Sequence, residues 1–195
     1  MEVRRRQEDR RMATRRALIS AARALFAAKG YWETSTPEIV AAAGVTRGAL
    51  YHHYADKLAL FTAVVEEEHA LVALAINAAT DGDDEETGPV KALVKGGDGL
   101  VEAMRDEGRR RILLVDAPAV LGREALDAIQ TRQGRHMLVE AVDHAIAAGA
   151  IKALPERPLA MLLNALFDRA AQAPTEEIDD YRKVLKALIR GLKSK

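Results

Sequence analysis

Residues 36–57 read TPEIVAAAGVTRGALYHHYADK, and the fold turns on how that stretch is punctuated. Ser35 stands before it as a capping side chain, Pro37 suits a first helical turn, and Glu38 puts a carboxylate where the helix dipole favours one. Residues 37–43 are therefore expected to form a short helix that stops at Gly44. Thr46 is a second N-cap, opening a helix over 47–54, and Asp56 caps a third, longer one. The turn Ala43-Gly44-Val45 is the angled connection of a helix-turn-helix, with glycine taking the backbone strain. The second short helix would lie in a DNA major groove with its N-terminal residues toward the bases. Arg47 can offer a bidentate fork to guanine, while Gly48 and Ala49 are small enough to let the backbone approach the groove floor. Tyr51, His52 and Lys57 can donate to phosphate, and Thr36 adds a hydroxyl at a helix N-terminus.

Upstream, Leu18, Ala21, Ala22, Leu25 and Phe26 recur at helical spacing, with Thr14 as the expected N-cap and Gly30 as the stop. Residues 1–13 form a basic leader whose arginines (Arg4, Arg5, Arg6, Arg10, Arg11) read either as a minor-groove arm or as a disordered tail. Residues 1–57 hold 11 Lys/Arg against 6 Asp/Glu, whereas the rest is acidic enough to bring the whole chain to zero. A positive front on a negative remainder suits a module that sits on phosphate while the other half does something else.

Downstream, the stripe Leu58, Phe61, Val65, His69, Val72, Ile76 predicts one long helix. Residues 81–88 are an acidic loop without the ligand spacing of a calcium site. A helix over 89–106 meets Gly96-Gly97-Asp98-Gly99, where either the helix breaks or something approaches its backbone closely. The run at 109–115 fits a strand or a buried helix by pattern; with no partner strand in view it reads as a short helix ended by Asp116-Ala117-Pro118. A long helix is expected over 123–148, an apolar one over 158–173, and one over 178–192 whose apolar spacing of about 3.5 marks a helix–helix seam. The expected fold class is all-α, with eight or nine helices and no sheet.

Several function classes drop out. There is no cysteine, so no disulfide, thiolate metal site or thiol nucleophile exists. No stretch is apolar enough for a membrane span, and the acids Glu2, Glu8 and Asp9 argue against a transit leader, so a cytoplasmic location is expected. No zinc-protease, phosphate-loop or serine-elbow motif supports an enzyme. His52 and His53 point about 100° apart on a helix, which disfavours a metal, and no cofactor is implied. A helical module that binds protein rather than DNA remains a rival reading.

Residues 36–57, together with LISAARALFAAKGY at 18–31, resemble the DNA-binding signature of the TetR family, AcrR-like members included. The resemblance implies a three-helix helix-turn-helix domain over 14–60 and a helical effector-binding and dimerisation domain over 61–195. It puts Arg47, Gly48 and Ala49 at the base contacts and Thr36, Tyr51, His52 and Lys57 at phosphates. Leu50 and Tyr54 fall on the packed side, and His53 on either. It further implies a homodimer joined through 158–173 and 178–192, bound to palindromic double-stranded operator DNA and released by a small-molecule effector. LLVDAPAVLG at 113–122 resembles an effector-domain signature of one subgroup. Polar or soft residues placed to line the effector pocket are His69, Met104, Asp116, His136, Met137, Glu140, Asn164 and Asp168.

Overall fold

A computed structural model describes residues 2–81, 88–132 and 136–194, with side chains from Arg6 onward other than that of His136. Its helices are α1 (Glu2–Glu33), α2 (Thr36–Ala43), α3 (Arg47–His53), α4 (Lys57–Thr80), α5 (Pro89–Ala103), α6 (Glu107–Arg110), α7 (Ala117–Gln130), α8 (His136–Ala147), α9 (Glu156–Ala171) and α10 (Ile178–Gly191). The described residues contain no strand, only an isolated bridge between Ile151 and Lys193. The all-α expectation holds. Most of the acidic loop, residues 82–87, lies outside the described residues.

The helical segments are more numerous than expected because two stretches divide differently. Asp116-Ala117-Pro118 does not end a helix: a π-helical turn over Arg111–Asp116 leads straight into α7 through Pro118. The wider turn, with the Ala117 N–H donating to the Ile112 carbonyl, relieves the clash a proline ring makes with a normal preceding turn. The kink comes instead at Gly122 (φ 75, ψ 169). The expected single helix over 123–148 is divided between α7 and α8, with residues 133–135 outside the described set. Thr14 is not an N-cap. α1 continues back to Glu2, since residues 2–29 contain no Gly or Pro and are rich in Arg and Ala, which favour helix.

By packing, the chain forms two units: Met1–Glu68 with Glu107–Leu126, and His69–Asp106 with Asp127–Lys195. In the first unit, Leu18, Ile19, Ala22 and Phe26 of α1 are buried, as are Ile39 of α2, Leu50 of α3, and Leu60, Phe61, Val64 and Val65 of α4. Phe26, Tyr31 and Phe61 form an aromatic cluster, with Phe26 meeting Phe61 edge-on at 5.1 Å. Onto these helices docks the segment 107–126. Asp116, buried, accepts the Tyr31 N–H (3.0 Å), and Arg111 donates to the Ala28 carbonyl (3.0 Å). Arg111 thus caps the C-terminal carbonyls of α1, a position that favours a cation. The guanidinium lies so close to Gly30 that a Cβ there would meet it at 2.7 Å, and Gly30 also holds a positive φ of 85°. Glu68 is buried, and each of its oxygens takes one guanidinium: Arg23 of α1 at 2.9 Å and Arg109 of α6 at 2.7 Å.

The second unit closes by apolar packing. Val90, Leu93 and Val101 of α5, Val142 and Ala145 of α8, Leu163 and Phe167 of α9, and Leu185 and Ile189 of α10 share one core. The glycine run at 96–99 does not break α5; the alternative, a close approach, is what occurs. A Cβ at Gly97 would overlap the Phe167 ring, and one at Gly99 would meet Ala79 at 2.9 Å. Backbone bonds from Lys152 to Leu192 and from Ser194 to Ala150 tie the turn after α8 to the end of α10.

Candidate nucleic-acid interface

α2 and α3 are held in place by caps within three or four residues of each end. Ser35 and Glu38 form a reciprocal capping box at the start of α2. The Lys29 ammonium, with the Ser35 hydroxyl and N–H behind it, lowers the Glu38 carboxyl to about 2. α2 ends at Gly44 in the left-handed conformation (φ 63, ψ 29). The Gly44 and Val45 N–H groups there return to the carbonyls of Ala41 and Val40. Any other residue would be strained at that φ. Thr46 then accepts the Ala49 N–H (3.2 Å) and opens α3, and Asp56 accepts the Ala59 N–H (2.7 Å) at the start of α4.

This arrangement gives α3 two unlike faces. Leu50 is fully buried and Tyr54, just past the helix, nearly so, which agrees with their expected packing role. Arg47, Gly48, Tyr51 and His52 are exposed, with Ala49 and Thr36 half-buried beside them. The Arg47 guanidinium lies 5.5 Å from the centre of the Tyr51 ring, one turn further along. Arg47 and the Thr36 hydroxyl together hold the Tyr51 phenol below the usual tyrosine range. Thr36, Arg47 and Tyr51 are thereby gathered into one cluster at the N-terminal end of α3. His53 is half-buried, and burial, followed by the neighbouring charges of His52, Arg11 and Arg15, pushes its pKa down.

Lys57 has a role that spacing alone did not show. Its ammonium donates to the carbonyls of Tyr31 (3.0 Å) and Thr34 (2.9 Å) and sits 4.1 Å over the Tyr31 ring, with burial lowering its pKa. The Tyr31 peptide is held from both sides, its N–H by Asp116 and its C=O by Lys57. Asp116, Arg111 and Glu68 are the residues that sequence reasoning missed here as positioning groups. Their partners lie 41 to 85 positions away, so no local pattern signals them.

The residues placed at the effector pocket fall in both units. Asp116 belongs to the first unit, bound to Tyr31. Met104 is buried at the end of α5, His69 and Met137 are half-buried, and Glu140 is exposed. Asn164 donates to Asp168 (2.9 Å) one turn along α9. The side chain of His136 lies outside the described residues. The second unit contains a cleft of about 450 Å³ that none of the eight lines; Ala79, Gly99, Asp98, Glu102, Arg182 and Lys186 are among the residues that line it. Those four charges pair across it, Arg182 with Glu102 at 2.7 Å and Lys186 with Asp98 at 2.9 Å.

Comparison with known proteins divides the chain differently from its packing. Residues 18–64 match the bacterial regulatory proteins of the tetR family, and residues 90–193 match the tetracyclin repressor-like C-terminal domain. The segment 107–126 therefore belongs by sequence to the C-terminal domain yet packs with the helix-turn-helix. The chain is 27% identical over 193 residues to the transposon Tn10 TetC protein of Escherichia coli, covering 98% of this chain and 96% of that protein. It is 36% identical over 104 residues to the transcriptional regulator AcrR of Shigella flexneri, covering 52% and 46%. A TetR-family transcriptional regulator from Pectobacterium atrosepticum superposes with a TM-score of 0.78 at 29% identity, covering 96% of this chain and 97% of that one.

Proposed function

Because the chain belongs to the TetR family of DNA-binding transcriptional regulators, which are not enzymes, we propose that it is a homodimeric repressor that a small molecule releases from a palindromic operator. The observation that carries the reading is α3 itself. It is capped at its first turn, anchored by Leu50, and open along Arg47, Gly48, Tyr51 and His52. In this reading Arg47, Gly48 and Ala49 enter the major groove, while Thr36, Tyr51 and His52 meet phosphates. Lys57 holds the turn between α1 and α2 and offers its remaining proton to a phosphate.

Dimerisation is supported by what α9 and α10 leave uncovered. The two helices pack on each other, yet Leu162 and Leu166 on α9 and Val184 and Leu188 on α10 stay exposed, each pair one turn apart. Such apolar stripes call for a second copy, and a two-fold contact would bury both at once. No helix among the described residues is long and apolar enough to cross a membrane. A cytoplasmic site of action follows from the reading, since the operator is there.

Effector release works by linkage: the ligand must bind the DNA-incompetent arrangement more tightly, and only that difference shifts the population. The helix α4 supplies residues to both units, so a change in its course is the proposed route. Selection of bound duplexes from random DNA tests the whole reading. It should enrich an inverted repeat whose half-sites are centred one helical turn apart or a multiple of that, about 34–36 Å per turn. Enrichment of no sequence, or of single unrepeated sites, would refute it.

A further inference from the structure

The arginine-rich start of the chain is neither an extended arm nor a tail. It is the first half of α1, continuous with the buried helix and exposed along residues 6–16 apart from half-buried Thr14. The match to the tetR family's DNA-binding region begins at residue 18, so this stretch precedes that match. Its register matters. Arg11 and Arg15 fall on the same helical stripe as Leu18, Ala22 and Phe26, the face of α1 that is buried in the first unit. α1 packs against α2 and α3, and where the stripe runs beyond the core the apolar side chains give way to arginine. Arg11 lies about 10 Å along the helix from Leu18, at 1.5 Å per residue. Both arginines act electrostatically on His53, and Arg15 also on Tyr54, which puts them beside the last turn of α3.

We propose that the exposed first half of α1 is a second DNA-contact element, in which Arg11 and Arg15 bind backbone phosphates beside the bases that α3 reads. This rests on the operator-binding reading and adds an element to it. The last turn of α3 carries His52, a phosphate-facing residue in that reading, so two cations next to it extend the same interface. A helix is 10–12 Å across with its side chains, and the minor groove is about 6 Å wide, so these arginines work on phosphates from outside the groove. An anionic membrane is the poorer partner. Residues 6–17, RQEDRRMATRRA, offer only Met12 and two alanines and no apolar face for a helix to lay into lipid.

The test compares two paired variants of the full-length protein that remove the same charge from different faces: R11Q/R15Q, and R10Q/R16Q. Operator affinity is measured against salt concentration, alongside the thermal midpoint of each variant. R11Q/R15Q should lower the slope of log affinity against log salt by about 2, at roughly 0.9 per phosphate contact, and R10Q/R16Q by less than half as much. The thermal midpoint of R11Q/R15Q should stay close to wild type, which separates a lost contact from lost structure. Equal slope changes in both pairs, or none in either, would overturn the inference while leaving operator binding intact. An unchanged operator slope with loss of sedimentation on phosphatidylserine vesicles would reassign the arginines to lipid and also overturn it. Failure of the wild-type protein to prefer any duplex would take down the operator reading itself, and this element with it.

Discussion

The two units of this protein are held together by different chemistry. The first is closed by buried polar clasps: Glu68 between Arg23 and Arg109, Asp116 on the Tyr31 N–H, and Lys57 on the carbonyls of Tyr31 and Thr34. The second is closed by small residues and apolar contact, with Phe167 against Gly97 and Ala79 against Gly99, while the pairs Arg182–Glu102 and Lys186–Asp98 line a cleft. A buried hydrogen-bonded charge accepts one geometry and penalises any other. Packed apolar helices slide past one another at lower cost. In the proposed reading the first unit presents α3 at a fixed angle, which the first kind of closure serves, and the second unit yields to a ligand, which the second kind serves.

If that contrast is right, the largest effect belongs to the clasps. Glu68→Gln leaves two guanidiniums facing a neutral amide and should cost about 3 kcal/mol, at the low end for a broken buried pair because both arginines keep some solvent contact. Urea unfolding measures it; a cost below about 0.5 kcal/mol would reduce the clasp to an ordinary surface pair. Next comes Gly97→Ala, which forces a methyl into the Phe167 ring and should cost about 2 kcal/mol by overpacking. Adding Phe167→Leu should recover part of that loss, so the double-mutant cycle should show favourable coupling; simple additivity would mean the two residues do not meet.

Smaller effects test the local caps. Thr46→Ala removes the bond to the Ala49 N–H and should cost about 1 kcal/mol, with weaker operator binding because α3 frays at its reading end. Thr46→Ser should restore most of it. The smallest effect concerns pH. His53 is held below its ordinary value of 6.5, so the unfolded chain takes up the proton first as pH falls. That contribution to stability is present above 6.5 and is lost on descending toward the folded value. Between pH 7 and 5.5 the urea midpoint of His53→Gln should therefore fall less than that of wild type; a parallel fall would remove His53 from the account.

The helix-turn-helix was legible because its signals are local. Ser35, Thr46 and Asp56 cap within three residues, and Gly44 closes α2 through its own N–H and that of Val45. α9 and α10 were legible by apolar spacing. Thr14 misled because a threonine within a run of good helix formers has no local feature to distinguish it from a cap. Pro118 misled because a π turn, invisible in the sequence, makes room for it. Asp116 read as a polar residue awaiting a ligand, whereas its partner is a peptide N–H 85 residues earlier. Long-range partners and the walls of a cleft arise from tertiary packing, and no short spacing encodes them.

The central claim is that α3 reads bases, and Arg47 is its point. Affinities of wild type and Arg47→Ala should be measured on the selected operator and on every single-base-pair variant of one half-site. The account predicts that Arg47→Ala loses about 1–3 kcal/mol of discrimination at one base pair per half-site and keeps it elsewhere. An equal loss of affinity on every sequence, with preference unchanged, would contradict it.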